Sequence, residues 1–305
     1  MLRSFAEIRK KARAAGTRGR VAIPAADDKT SIEAAVDAKR ERIADSILLG
    51  PAKKIEALVR KAGAKASGFE IIDCLNDAHS AARAVKLIHE KRADLILKGR
   101  LDTPTLLKAA LDKKTGLRTG RLLSDIFIFE DPLWDDRGGR LCAITDGGIT
   151  PTPSLAQKKQ ILVNAVEVFH RLGCRLPKVA VMSATEKVTA GIASTTDAKA
   201  LVGMWKKGGI TGCVVEGPLA LDVAALGWCA EKKGIKSGIA GAVDIMLMPN
   251  FEAGNMLAKA FVFYMKRRIG HVIVGASAPI LINSRTDDAA LKLNSIALSI
   301  LAGLK

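Results

Sequence analysis

Short apolar runs that end in polar or glycine-containing turns alternate along the chain with longer segments whose apolar residues recur at helical spacing. Short apolar runs of this kind are typical of buried strands, and the longer amphipathic segments of helices that cover a sheet. The pattern predicts an α/β protein with a largely parallel sheet covered by helices on both faces. The predicted strands are residues 20–25, 46–50, 70–74, 94–99, 178–183, 212–217, 244–249 and 271–275.

Helical spacing predicts helices over residues 31–45, 51–63 and 77–93, with Ser31 as the N-cap of the first. The segment D-D-R-G-G-R at 135–140 stands between two apolar runs and is typical of a hairpin turn. Some antiparallel pairing is therefore expected in the sheet.

The N-terminal segment places Leu2, Phe5 and Ile8 among basic residues, which predicts an amphipathic helix and not the apolar core of a signal peptide. Its Arg-rich, acid-poor composition would also suit an organelle transit peptide. No run approaches the ~20 apolar residues of a membrane span. We expect a cytoplasmic protein with no membrane partner.

The composition bounds the domain count and the redox environment. A chain of 305 residues with 49% hydrophobic content is long enough for two cores, so two domains are expected. The five cysteines and four histidines are scattered, with no zinc-site spacing, which indicates free thiols in a reducing compartment and no metal site.

The net charge of +17 favours anionic partners. Nucleic acid is one candidate, but aromatic residues make up only 4% of the chain, and no nucleic-acid-binding motif is present. The same electrostatic attraction would act on an anionic metabolite or coenzyme. We expect a partner of that kind and no nucleic acid.

Unusual polar residues are concentrated where the predicted strands end, the edge at which open α/β sheets bind ligands. Single strand ends of this kind are ordinary turns, but several together indicate a site. They are Lys98, Gly99, Arg100, Asp146, Gly147, Gly148, Ser183, Glu216, Gly217, Asn250, Glu252, Gly254, Asn255, Ser284 and Arg285.

Seven of the segments around these residues give the chain a specific resemblance. It resembles the phosphate acyltransferase family, meaning phosphotransacetylase and phosphotransbutyrylase, and is more similar to the butyryl branch. The segments follow the family order: 97–112, 116–124, 144–166, 182–188, 214–222, 249–259 and 278–287, the last reading A-P-I-L-I-N-S-R-T-D.

The resemblance implies a fold and a reaction. The fold is two α/β/α domains with the active site in a cleft, as in the isocitrate and isopropylmalate dehydrogenases, with residues 1–132 plus 275–305 in the first domain and 133–274 in the second. The reaction moves an acyl group between coenzyme A, present as a thioester substrate, and inorganic phosphate. No bound cofactor or metal is implied, and a homodimer or higher homo-oligomer is expected. A same-fold enzyme using an acyl carrier protein, a metal-dependent dehydrogenase and a basic nucleic-acid binder are the alternatives.

The resemblance assigns catalytic roles to the end of the last predicted strand. Ser284 would donate to the developing oxyanion, and Arg285 would grip phosphate. Acetyl-type members carry the base that takes the thiol proton at the position of Leu291. Asp287, or its neighbour Asp288, is therefore the candidate base, although Ser-Arg-Thr-Asp is also typical of a helix N-cap.

The resemblance also implies residues that bind phosphate or coenzyme A. Arg121 matches a family arginine, and Lys108 stands where acetyl-type members have an arginine. Ser124 is a further candidate for binding phosphate or coenzyme A. Both cations would equally suit a solvated surface. Gly147 falls where some relatives have cysteine, which favours direct transfer in a ternary complex over a thiol acyl-enzyme.

The segment 249–259 supplies the remaining candidates. Gly254 would permit close backbone approach, Glu252 and Asn255 would line the cleft or hold a hinge, and Lys259 would reach phosphate.

Overall fold

The computed structural model describes residues 1–14, 19–284 and 286–303. Its strands are β1 (Gly19–Pro24), β2 (Ala44–Gly50), β3 (Glu70–Asp73), β4 (Leu95–Leu97), β5 (Ser124–Glu130), β6 (Leu141–Thr145), β7 (Lys178–Met182), β8 (Val214–Leu219), β9 (Ile245–Leu247), β10 (Ile269–Val274) and β11 (Ile280–Leu281). Its helices are α1 (Phe5–Ala14), α2 (Lys29–Arg40), α3 (Ala52–Lys61), α4 (Asp77–His89), α5 (Thr103–Ala110), α6 (Leu155–Arg171), α7 (Ala193–Lys206), α8 (Leu221–Ala225), α9 (Gly227–Lys232), α10 (Phe251–Phe263) and α11 (Ala289–Gly303), with short 3₁₀ turns at Ala66–Gly68 and Pro132–Arg137.

The chain divides into two compact units. The first unit consists of Phe5–Arg121 and Ile269–Lys305, and the second unit of Met1–Ser4 and Leu122–Arg268. The C-terminal segment thus returns to the unit that contains most of the N-terminal part of the chain.

The first unit has the strand order β3-β2-β1-β4-β11-β10. The pairs from β3 to β11 are parallel, and β10 runs antiparallel to β11. Helix α11 is apolar around nearly its whole circumference, because it packs on β10, α1 and α2 and is buried on every side. In the strand order, the two-residue strand β11 lies between the longer strands β4 and β10.

The second unit has the strand order β5-β6-β9-β7-β8. The hairpin β5–β6 is antiparallel, and the pairs from β6 to β8 are parallel. The connection between β5 and β6 is the 3₁₀ turn Pro132–Arg137, which ends at Gly138 in the left-handed region. The predicted hairpin is confirmed at this position.

The predicted strands are confirmed, whereas the helix predicted over residues 31–45 is too long: α2 ends at Arg40, and residues 44–45 belong to β2. Each of the eight predicted strands is present, and so is the amphipathic N-terminal helix. The predicted N-cap Ser31 is wrong: α2 begins earlier, and the Asp28 carboxylate caps it by accepting from the Ser31 N–H. The cysteines are free thiols, and all but Cys174 are buried. Among the described residues, no helix combines the length and the apolar character needed to cross a membrane.

Candidate active site

The carboxyl ends of β1, β4 and β11 lie at one edge of the first unit's sheet, because these strands are parallel and adjacent. The residues that follow them include Asp27, Arg100 and Ser284. Ligands of open α/β sheets bind at this edge. The structure therefore supports the expectation that strand ends carry the polar groups of a site.

A buried carboxylate organises part of this edge. Asp27 accepts from Arg100 Nε at 3.1 Å and from Lys54 Nζ at 2.8 Å, and Arg100 Nη2 also donates to Asp77 at 2.7 Å. Burial would raise the pKa of Asp27, but the hydrogen bonds and charges of Lys54 and Arg100 lower it below its usual value. Asp27 is therefore held ionised and fixes two cations at the strand ends.

Ser284 follows β11 and is fixed through its backbone. Its N–H donates to Asp287 Oδ2 at 2.8 Å, and its half-buried hydroxyl lies 2.9 Å from the hydroxyl of Thr286. Asn283 and His271 are buried beneath it, with Asn283 Nδ2 at 3.4 Å from Asp287 Oδ2 and 3.2 Å from His271 Nε2. Ser284 thus stands at the end of a buried polar chain.

Asp287 and Asp288 have different environments. Burial would raise the pKa of Asp287, but the neighbouring His271, the Ser284 N–H and the Asn283 amide lower it below its usual value. Asp288 is exposed and accepts from the Leu291 N–H at 2.8 Å, so it caps α11. The capping role considered for these residues therefore falls to Asp288, and Asp287 is the carboxylate tied to Ser284. The predicted phosphate ligand Arg285 lies outside the described residues.

The two other predicted cations of the first unit are exposed. Lys108 is on the last turn of α5, where a cation interacts favourably with the helix dipole. The backbone N–H of Arg121 donates to Thr119 Oγ1, which in turn donates to the Gly275 carbonyl. Among the described residues, no hydrogen bond or ion pair joins Lys108 to Ser284 or Asp287, so the binding roles of these cations stay predictions.

In the second unit, the segment after β6 packs closely on the first turn of α10. A Cβ on Gly254 would lie 2.6 Å from the Asp146 carbonyl oxygen, and one on Gly147 would lie 2.8 Å from the Gly254 carbonyl carbon. Asn255 Nδ2 donates to the Gly147 carbonyl at 3.0 Å. Both glycines are required by this approach of backbone to backbone. A cysteine at the position of Gly147 would not fit without a shift of the loop.

The other predicted residues of the second unit differ in exposure. Glu252 and Lys259 are exposed on α10, and Lys259 Nζ lies 5.9 Å from the centre of the Phe263 ring. Ser124 is fully buried, and its hydroxyl accepts from Asn164 Nδ2 at 2.9 Å. A substrate would reach Glu252 and Lys259 without rearrangement, whereas the burial of Ser124 does not support its predicted contact with substrate.

Asp146 holds the loop after β6. Its Oδ1 accepts from the N–H groups of Gly148 and Ile149, and its Oδ2 from that of Thr150, at 2.8–3.0 Å. Burial and the negative charge of Asp125 raise the pKa of Asp146 to about 6, although the three N–H groups oppose the shift. The side chain of Asp146 thus titrates close to neutral pH while it shapes the loop.

This raised pKa predicts a pH-dependent stability difference. In the unfolded chain this carboxyl has a pKa of ~3.9, so between about pH 4 and pH 6 the folded state binds the proton more tightly than the unfolded state does. The free energy of unfolding therefore falls as pH rises through this window, by about 3 kcal/mol in total. Asp146→Asn keeps the Oδ1 acceptor and does not titrate. Urea unfolding of both proteins should show the variant becoming more stable relative to wild type as pH rises through that window.

Asp222→Asn is the matched control in the same unit. The Lys233 ammonium lowers the pKa of Asp222, so this carboxylate contributes stability that is lost as pH falls below about 4. The difference between Asp222→Asn and wild type should therefore stay constant from pH 4 to pH 6 and change, with opposite sign, only below about pH 4. A flat difference between wild type and Asp146→Asn from pH 4 to pH 6 would contradict the raised pKa.

Sequence reasoning missed two residues of these clusters. His271 was counted only as one of four scattered histidines, and Asn283 as the end of an apolar run. Asp146 was among the strand-end residues expected to form a site, but no role was assigned to it. Nothing local marks His271, because it lies within β10 and its contact with Asn283 joins residues 12 positions apart. No cluster of metal-binding side chains occurs within residues 1–14, 19–284 and 286–303.

Comparison with known proteins gives a consistent result. The family model described as phosphate acetyl/butaryl transferase matches residues 74–300. The chain is 40% identical to phosphate butyryltransferase of Clostridium acetobutylicum, over 99% of this chain and 98% of that protein. It is 36% identical to phosphate acetyltransferase of Thermotoga maritima, over 94% of this chain and 96% of that protein.

A solved structure is similar as well. The branched-chain phosphotransacylase from Enterococcus faecalis V583 superposes with a TM-score of 0.83 and 26% identity, over 93% of this chain and 99% of that one. The residues matched by the family model include the positions of Ser284, Asp287 and the loop after β6. The chain therefore belongs to the phosphate acetyl/butaryl transferase family and is an acyltransferase.

Proposed function

We propose that the protein transfers a short acyl group, acetyl or butyryl, reversibly between coenzyme A and inorganic phosphate. The observation that supports this most directly is the half-buried hydroxyl of Ser284 at the end of β11, with its backbone N–H held by Asp287 at 2.8 Å. An acyl transfer needs a hydrogen-bond donor fixed in place before charge develops on the carbonyl oxygen.

The reaction is a direct displacement in a ternary complex. A phosphate oxygen attacks the thioester carbonyl carbon, and the carbon–oxygen π electrons move onto oxygen. Collapse of this oxyanion breaks the carbon–sulfur bond and releases the thiolate of coenzyme A. Ser284 Oγ–H donates to the oxyanion, and the absence of a side chain at Gly147 agrees with a route that needs no thiol acyl-enzyme.

The reverse reaction requires removal of the thiol proton. Asp287 is our candidate for the acceptor, with Oδ1 as the reacting atom, because the hydrogen bonds described above all end on Oδ2. Its lowered pKa makes Asp287 a weak base but keeps it ionised at neutral pH. Asp288 is less suited to this role because its Oδ1 caps α11.

The anionic parts of the substrates are assigned to basic and polar groups. Arg285 binds phosphate as a bidentate donor, and Arg121 and Lys108 bind phosphate or coenzyme A. Lys108 cannot make the bidentate contact of an arginine, because its ammonium group is a single point charge. In the second unit, Asn255 and Gly254 shape the loop after β6, while Glu252 and Lys259 are exposed for contact with substrate. The net charge of +17 attracts both anions.

Several broader assignments accompany this function. The fold is that of the isocitrate and isopropylmalate dehydrogenases, with domains of residues 1–132 plus 275–305 and 133–274. The protein is a cytoplasmic homodimer or higher homo-oligomer and uses no bound cofactor. The return of β10, β11 and α11 to the first unit agrees with the proposed return of the C-terminal segment.

The experiment is phosphate-dependent release of free thiol from acetyl-, propionyl- and butyryl-coenzyme A by the purified protein. We expect release that requires phosphate, and the three rates rank the acyl chains. Sulfate in place of phosphate is the control for ionic strength and should give no turnover. Absence of release from all three thioesters, with an intact circular dichroism spectrum, would contradict the proposal and favour an acyl carrier protein as the acyl donor.

A further inference from the structure

A chain of buried polar groups leads from β10 to Ser284. His271 on β10, Asn283 after β11 and Asp287 are 9%, 2% and 8% exposed. Such groups are costly to bury unless they are hydrogen-bonded to one another. None of the roles proposed above uses His271 or Asn283.

The distances show that Asn283 bridges its two neighbours. His271 Nε2 is 3.8 Å from Asp287 Oδ2, which is longer than a hydrogen bond. Asn283 Nδ2 is 3.2 Å from the first atom and 3.4 Å from the second. The amide nitrogen of Asn283 is thus within reach of both atoms, and it has two protons.

The ionised state of Asp287 selects this orientation of the amide. Rotation of Asn283 by 180° would place its oxygen 3.4 Å from the Asp287 carboxylate, so that two acceptors would face each other. The observed orientation leaves Asn283 Oδ1 buried with no hydrogen-bond partner among the described residues. The unsatisfied oxygen costs free energy, which the contact of Asn283 Nδ2 with the Asp287 carboxylate must offset.

We propose that Asn283 and His271 are positioning residues for the acyl transfer: Nε2 of His271 orients the Asn283 amide, and this amide holds Asp287 against the backbone N–H of Ser284. This inference rests on the proposed function. The backbone of Ser284 is thereby fixed from the core side, while its hydroxyl is left to face the substrate. Neither residue touches a reacting atom.

The chain of contacts makes a hydrogen-bonding atom at the position of Nε2 the important property of His271. Glutamine at this position carries a polar amide close to where Nε2 lies, whereas phenylalanine fills the volume without a hydrogen-bonding atom. Asn283→Leu likewise keeps the volume and removes the bridge. The comparison of His271→Gln with His271→Phe therefore separates positioning from packing.

The experiment is steady-state kinetics of thiol release with the Michaelis constants for phosphate and acyl-coenzyme A. We expect His271→Phe and Asn283→Leu each to lower kcat on the order of tenfold, as for loss of one buried hydrogen bond, with both Michaelis constants within about twofold of wild type. The double variant should be no slower than either single variant, because one bridge is broken in all three. His271→Gln should keep at least half of the wild-type kcat.

Ser295→Ala is the matched control. The Ser295 hydroxyl accepts from the backbone N–H of His271 at 3.0 Å, so its loss weakens the packing of β10 on α11 but leaves the bridge intact. We expect a lower unfolding midpoint and an unchanged kcat. Should Asn283→Leu fail to fold, the pair of His271 variants decides the question by itself.

Three results would overturn the proposal: wild-type kcat in both His271→Phe and Asn283→Leu, equal loss in His271→Gln and His271→Phe, or additive losses in the double variant. Each requires that the wild-type protein releases thiol in the same assay. Wild-type protein without turnover would instead contradict the proposed function.

Discussion

Ser284→Ala is expected to lower kcat on the order of 10²-fold, with the Michaelis constants for phosphate and acyl-coenzyme A changed by less than about threefold. The hydroxyl is used mainly in the transition state, because the carbonyl oxygen gains its charge only there. No backbone donor of Ser284 can replace it, since the N–H of this residue already donates to Asp287 Oδ2 at 2.8 Å.

Two further serine variants make this test specific. Ser284→Thr retains a hydroxyl and should recover part of the lost kcat. Ser277→Ala makes the same substitution at an exposed serine between β10 and β11, and we expect wild-type kcat. Turnover of Ser284→Ala within about threefold of wild type would show that Ser284 only forms the turn with Thr286.

Gly254→Ala is expected to destabilise the protein by about 1–3 kcal/mol, although alanine favours a helix over glycine by about 1 kcal/mol. The added Cβ would lie 2.6 Å from the Asp146 carbonyl oxygen and 2.9 Å from Gly147 Cα, so backbone and not a flexible side chain must move. The movement would also break the hydrogen bond of Asn255 to the Gly147 carbonyl.

Gly203→Ala is the matched control for this substitution. Gly203 is on α7 of the same unit, and apart from its chain neighbours and the backbone of its own helix no described atom lies within 4 Å of the position of its added Cβ. Only the helix preference then acts, and the variant should be more stable than wild type by about 0.5–1 kcal/mol. Urea unfolding monitored by circular dichroism measures both. Equal unfolding midpoints for the two variants would contradict the close approach at Gly254.

The strands were predictable because burial imposes a local pattern. Residues 179–182 and 272–274 are short apolar runs typical of strands between covering helices, and glycine or polar residues mark their ends. The N-cap of α2 was misplaced because Asp28, Thr30 and Ser31 are all good capping residues, and the choice among them depends on where the preceding strand ends.

The candidate site was predictable only in part. Ser284 and Asp287 were found because they are neighbours in a motif that resembles a known family, and Asp288 was left as an equal candidate. The structure distinguishes the two carboxylates: one caps α11, and the other is buried against Ser284. The sequence offered no sign that Ser124 is buried and accepts from Asn164, since the two residues are 40 positions apart in the chain.

The sequence by itself determined the α/β class, the family and the hydroxyl proposed to meet the substrate. These properties depend on local periodicity and on motifs contiguous in the chain, which can be recognised without a fold. The tertiary structure decided which strands are neighbours, how His271 and Asn283 reach Asp287, and why Gly147 and Gly254 have no side chain. Those contacts join residues distant in sequence, so their geometry exists only after the strands have paired and the helices have packed.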